Sequence, residues 1–94
     1  MKEQLEDQEK KVDADERTKN AIDAILNELF RAERLHPLWP DDPVHAVAVL
    51  AEEAGEAIRA ANDMKWKGED TVKLRRELIQ TGAMAVRCLI NLEG

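Results

Sequence analysis

The chain has one cysteine, Cys88, and two histidines, His36 and His45, among 94 residues. That count excludes a disulfide framework and a zinc site built from Cys and His. There is no tyrosine, and the aromatic residues are one phenylalanine and two tryptophans. β-Branched residues are also few, no segment alternates apolar and polar residues with period two, and no strand-type turn signal appears, so a sheet has no sequence support. No glycine-rich phosphate loop is present, so any phosphate chemistry must be organised by side chains and metal. No window approaches the roughly 18 apolar residues of a membrane span. The opening MKEQLEDQEKK has no apolar stretch of signal-peptide length. These absences lead us to expect a soluble, cytoplasmic protein with no membrane partner. Basic residues are outnumbered by acidic ones, 14 to 20. Broad binding to a nucleic-acid polymer is disfavoured by that balance, and a small anionic ligand would need a cation. Oxygen ligands suited to a hard cation are plentiful.

The length fits one small domain with a modest core. Residues 1–17 hold one leucine and one valine among charges of both signs, and read as a charged tail or helical extension. Residues 18–94 read as a single all-α domain of three main helices. From Thr18, Ile22, Ile25, Leu26, Leu29 and Phe30 recur at helical spacing. Pro37 should end that helix near Leu35. In the loop HPLWPDDP, Asp42 followed by Pro43 has the form of an N-cap and a first helical residue. The second helix should run from Pro43 to about Lys67, with Gly68 as its stop. Its Val44, Val47, Ala48, Leu50, Ala51, Ala54, Ile58 and Ala61 form one broad apolar face, and Ala46, Val49, Ala57 and Ala60 extend it. So apolar a helix predicts packing on more than one side, hence a homo-oligomer, a dimer or tetramer. Asp70 or Thr71 can cap a third helix reaching about Leu92, with Leu74, Leu78, Thr81, Ala85, Leu89 and Leu92 toward the core.

Within this pattern Glu53 is out of place. Its helical neighbours one and two turns away are Val49, Ala57, Ala46 and Ala60, and a carboxylate there must stay hydrated, gain a proton or meet a cation. Glu56 lies three residues on, so both can reach one cation. Glu77, beside Thr81, Met84 and Cys88, and Gln80 repeat that spacing on the third helix. Glu53 stands fourteen residues before Lys67 and Gln80 twelve after Gly68. Antiparallel helices joined by that turn would therefore set the two pairs at nearly equal height, at ~1.5 Å per residue.

Glu52-Glu53-Ala54-Gly55-Glu56 followed by Glu77-Leu78-Ile79-Gln80 resembles the EExxE…ExxD signature of the MazG-like all-α nucleoside triphosphate pyrophosphatases, over roughly residues 18–92. The resemblance implies a Mg²⁺-dependent enzyme, with Mn²⁺ as a substitute, that cleaves a (deoxy)nucleoside triphosphate to monophosphate and pyrophosphate and works as a helical dimer or dimer of dimers. It implies Glu53, Glu56 and Glu77 as metal ligands, with Gln80 in the place of the family's final Asp, offering a neutral carbonyl oxygen and no charge. Lys65, Trp66 and Lys67 resemble the family's aromatic-plus-lysine stretch, with base stacking and phosphate contact as roles; closing the bundle is the alternative for Trp66.

Beside the resemblance stand readings of single residues. Glu52 is the expected general base, against a solvated role near Arg59. Trp39, with His36, either walls a base pocket or covers a core end. Arg87, two turns after Gln80, either reaches a phosphate or pairs with surface acids. Met84 and Cys88 read as core. Two rival functions use the same residues: a catalytically silent nucleotide- or metal-binding module, and an α-helical dimerisation protein with solvated acids.

Overall fold

A computed structural model describes residues 15–93. They form three helices, α1 (Glu16–Leu35), α2 (Pro43–Lys67) and α3 (Val72–Glu93). No strand occurs among the described residues, and the fold is an all-α bundle. None of these helices is long and apolar enough to cross a membrane. The charged segment expected over 1–17 lies outside the described residues up to position 14. Glu16 and Arg17 already belong to α1, because the Asp15 carboxylate accepts from the Thr18 N–H at 2.8 Å and starts the helix before its apolar periodicity begins.

The other ends follow the expected residues. The Asp42 carboxylate accepts from the Val44 N–H at 2.9 Å with Pro43 in the first turn. Gly68 closes α2 at φ 71°, a left-handed conformation that a Cβ would strain. The Asp70 carboxylate accepts from the Val72 N–H at 3.1 Å and starts α3.

Helix α3 packs against both α1 and α2, which form no pairing with each other. The core cluster is Leu29 and Ala32 of α1 with Ala83 and Met84 of α3, flanked by Ile25, Trp39, Val49, Leu50 and Val86. Gly82 lets α1 approach: a Cβ there would lie 2.9 Å from Ile25 Cδ1. On α2 the buried residues are Ala46, Ala57 and Ala60, the side carrying Glu53. On α3 the buried side is Glu77, Ala83, Met84 and Arg87. The leucines expected toward the core of α3 are placed otherwise. Leu78, Leu89 and Leu92 are exposed, as are Val44, Val47 and Ile58 of the broad face of α2. Periodicity marks a face as apolar without saying which neighbour covers it, and here α1 and α2 both meet α3 on the side of Met84.

Candidate metal and ligand site

Two helices supply the acids. Glu53 and Glu56 project from α2 and Glu77 from α3, and one carboxylate oxygen of each lies within 4.8 Å of the others. Glu77 is buried, Glu53 half-buried and Glu56 exposed. The amide of Gln80 joins them. With its NH₂ facing the acids, it donates to Glu77 Oε2 at 3.1 Å and to Glu53 Oε2 at 3.2 Å. This contact realises the equal height read from the α2–α3 spacing. Thr81 Oγ1 donates to the Glu77 carbonyl at 2.7 Å, which satisfies the hydroxyl within the helix.

The electrostatics follow from this crowding. Burial raises the Glu53 pKa above its ordinary value, and Glu56, Glu77, Glu28 and Glu52 push it further. Burial also raises Glu77, with Glu56 adding both a hydrogen bond to the protonated form and like-charge repulsion, while Lys73 and Arg76 oppose the rise. Such a site accepts protons or a cation.

The donor set suits a divalent ion. Oxygens on opposite sides of one Mg²⁺ are about 4.2 Å apart and those on Ca²⁺ about 5 Å. The spacing of the three carboxylates therefore admits a hard cation without naming it. Rotating the Gln80 amide by half a turn would put its carbonyl oxygen where the NH₂ stands, making it a fourth, neutral ligand.

Beside the acids lies a cleft of about 330 Å³. It is lined by Glu53 of α2, Gln80, Met84 and Arg87 of α3, Glu28 and Arg31 of α1, and His36 and Trp39 of the loop between α1 and α2. Arg87 is 3% exposed. Its guanidinium donates to the His36 carbonyl and lies 4.7 Å from the centre of the Trp39 ring. It pairs with no acid among the described residues, so surface ion pairing is not its role here. Trp39 packs against the core cluster, as expected of a residue covering a core end, and it also lines the cleft, with Arg87 over one face of its ring.

The remaining candidates lie elsewhere in the chain. Glu52 is exposed and outside the carboxylate cluster. Lys65 sits over the ring of Trp66 at 4.8 Å, Trp66 is 74% exposed, and Lys67 pairs with Asp63 at 3.4 Å. Nine to eleven residues separate Glu56 from these three, roughly 14–16 Å along the helix, and none lines the cleft. Met84 is buried, and Cys88 is half-buried with Sγ 3.6 Å from the Ala46 carbonyl.

Glu28 and Arg31 are the cleft residues that sequence reading missed. They pair at 3.5 Å, and only 17% of the Glu28 side chain is exposed. The signal existed: Glu28 stands one turn from Ile25 and Ala32, the same intrusion of an acid on an apolar face that singled out Glu53. Comparison of the chain with family models, with curated proteins and with solved structures gives no match. The functional reading therefore rests on the residues themselves.

Proposed function

We propose that this chain is a Mg²⁺-dependent nucleoside triphosphate pyrophosphohydrolase of the MazG-like kind, with Mn²⁺ able to substitute. The observation that carries this reading is the meeting of Glu53, Glu56 and Glu77, from two helices, at a point beside a cleft that contains a buried arginine. The reaction adds water across the bond between the α- and β-phosphoryl groups, so that triphosphate and water give monophosphate and pyrophosphate. A bound divalent ion would neutralise phosphate charge and make the attacking water more acidic.

The chain's own residues would hold and orient. Glu53, Glu56 and Glu77 carry the ligand charge, and Gln80 adds a carbonyl oxygen once its amide turns. Arg87, held by the His36 carbonyl, lines the cleft and forms no ion pair among the described residues, which suits an anionic substrate. The free face of Trp39 offers a surface for a base. Glu52, next to Glu53 in sequence though outside the carboxylate cluster, would be the group to take the proton released from the water. The uncovered apolar faces of α2 and α3 support assembly into a dimer or dimer of dimers.

The test is pyrophosphate release from a panel of dNTPs and NTPs with Mg²⁺, comparing wild type with Glu53→Ala. Turnover by wild type and its loss in the variant is the expected result. Absence of turnover for every nucleotide, with the two proteins indistinguishable, overturns the proposal.

A further inference from the structure

A second groove, of about 600 Å³, runs between α1 and the first half of α3. It opens from the acid site, sharing Glu28, Arg31 and Gln80 with the cleft described above. Its polar lining includes Asn27, Arg31, Thr71, Arg75, Arg76 and Gln80. Three arginines thus line one groove in a chain of net charge −6. Glu28, already paired with Arg31, is the one carboxylate among its lining residues. Arg75 and Arg76 make no ion pair among the described residues. The groove also reaches Val72 at the start of α3, an end that the Asp70 carboxylate already caps.

We propose that this groove binds the pyrophosphate portion of a triphosphate substrate, and free pyrophosphate as product, through Arg31, Arg75 and Arg76. The proposal deepens the hydrolase reading and rests on it. Gln80, at the carboxylate cluster, and Arg76 are four residues apart on α3, an axial distance of ~6 Å. A ligand anchored at the acids therefore meets the arginines about two phosphoryl groups further along. Guanidinium forks match phosphoryl oxygens in charge and in geometry, so a chain of phosphates gains over a single one. Since Arg75 and Arg76 stand on the side of Gln80 away from Arg87 and Trp39, with Arg31 lining both spaces, the nucleoside and the leaving group would lie on opposite sides of the acid site.

Titration calorimetry of the full chain with inorganic pyrophosphate, in Mg²⁺, tests this directly. Wild type is expected to bind pyrophosphate more tightly than orthophosphate, and Arg75→Ala/Arg76→Ala to bind it at least about tenfold more weakly. Arg17→Ala/Arg34→Ala, which removes the same charge outside the groove, is expected to keep wild-type affinity. Arg75→Lys/Arg76→Lys should recover part of the loss. Equal affinity in wild type and the groove variant, equal loss in both alanine variants, or no binding by wild type overturns the proposal. The two readings fail separately. Nucleotide turnover with arginine-independent pyrophosphate binding removes this inference and leaves the hydrolase, whereas arginine-dependent binding without turnover of any nucleotide does the reverse.

Discussion

Gln80 and Glu53, on antiparallel helices and twenty-seven residues apart in sequence, meet: with its NH₂ turned toward the acids, the Gln80 amide donates to the Glu53 carboxylate at 3.2 Å. The same amide donates to Glu77 at 3.1 Å, so one neutral side chain separates two like charges. An Asp at this position would add a charge to that pair and remove both donors.

Gln80→Asp is therefore expected to lower the thermal midpoint in EDTA by several degrees, since each kcal/mol lost shifts a domain of this size by about 4–8 °C. In saturating Mg²⁺ the difference should shrink or reverse, because a fourth carboxylate strengthens the hold on a cation. An EDTA midpoint equal to that of wild type would show that Gln80 does not relieve the acids.

A pH dependence follows from the raised carboxylates. Glu53 and Glu77 both titrate above the ordinary value of 4.5, chiefly through burial. In the window between 4.5 and their folded values the native chain binds more protons than the unfolded one, so unfolding free energy falls as pH rises. Their favourable contribution is complete below the unfolded value and is lost on passing upward through the folded ones. In EDTA the midpoint should fall as pH rises above the ordinary carboxylate value of 4.5 and through the raised folded values, and Glu53→Gln should flatten that slope. Mg²⁺ should oppose the fall, since it displaces the protons. Parallel slopes for wild type and Glu53→Gln would assign the pH dependence to other groups.

Arg87 ties the loop after α1 to α3. Removing it leaves the His36 carbonyl without its donor and takes the guanidinium from the face of the Trp39 ring, at a cost of about 2–4 kcal/mol. Arg87→Ala should show this loss in urea unfolding, with Arg87→Lys intermediate. In a Trp66→Phe background, the emission of Trp39 should shift to the red as its ring gains water. Unchanged stability together with unchanged emission would mean that the loop holds its place without the arginine.

The exposed faces of α2 and α3 should govern assembly. Val47 is 54% exposed and Leu89 62%, and both line an apolar groove of about 560 Å³ between the two helices. Val47→Glu/Leu89→Glu is expected to sediment near the single-chain mass of 10.6 kDa with helicity retained, and wild type at two or four times that mass. Wild type sedimenting at 10.6 kDa across all concentrations would contradict an oligomer built on this face.

Much of the fold is legible residue by residue. Asp42, Pro43 and Gly68 bound α2 through their own backbone chemistry, and Pro37 ends α1 by crowding His36. Glu53 stands out in sequence too, because a carboxylate flanked by Val49 and Ala57 must stay hydrated, gain a proton or meet a cation. The leucines of α3 were not: Leu78 and Leu89 have the spacing of a core stripe, and that spacing is the same for a face turned toward a core and one turned toward solvent or another chain. Arg87 reads as a surface residue until the loop folds over it. Glu28 escaped notice because α1 has no second acid three or four residues from it to form a pair.

The sequence by itself determined the three helices, their caps and the spacing that sets Glu53 level with Gln80, since these depend on local dihedral preference and on a fixed rise per residue. Only the tertiary structure decided which apolar face is buried, that Arg87 lies beneath Trp39, and that arginines from α1 and α3 share a groove. Those facts depend on the side from which α1 and α2 approach α3, a choice made by long-range packing that helical periodicity leaves open.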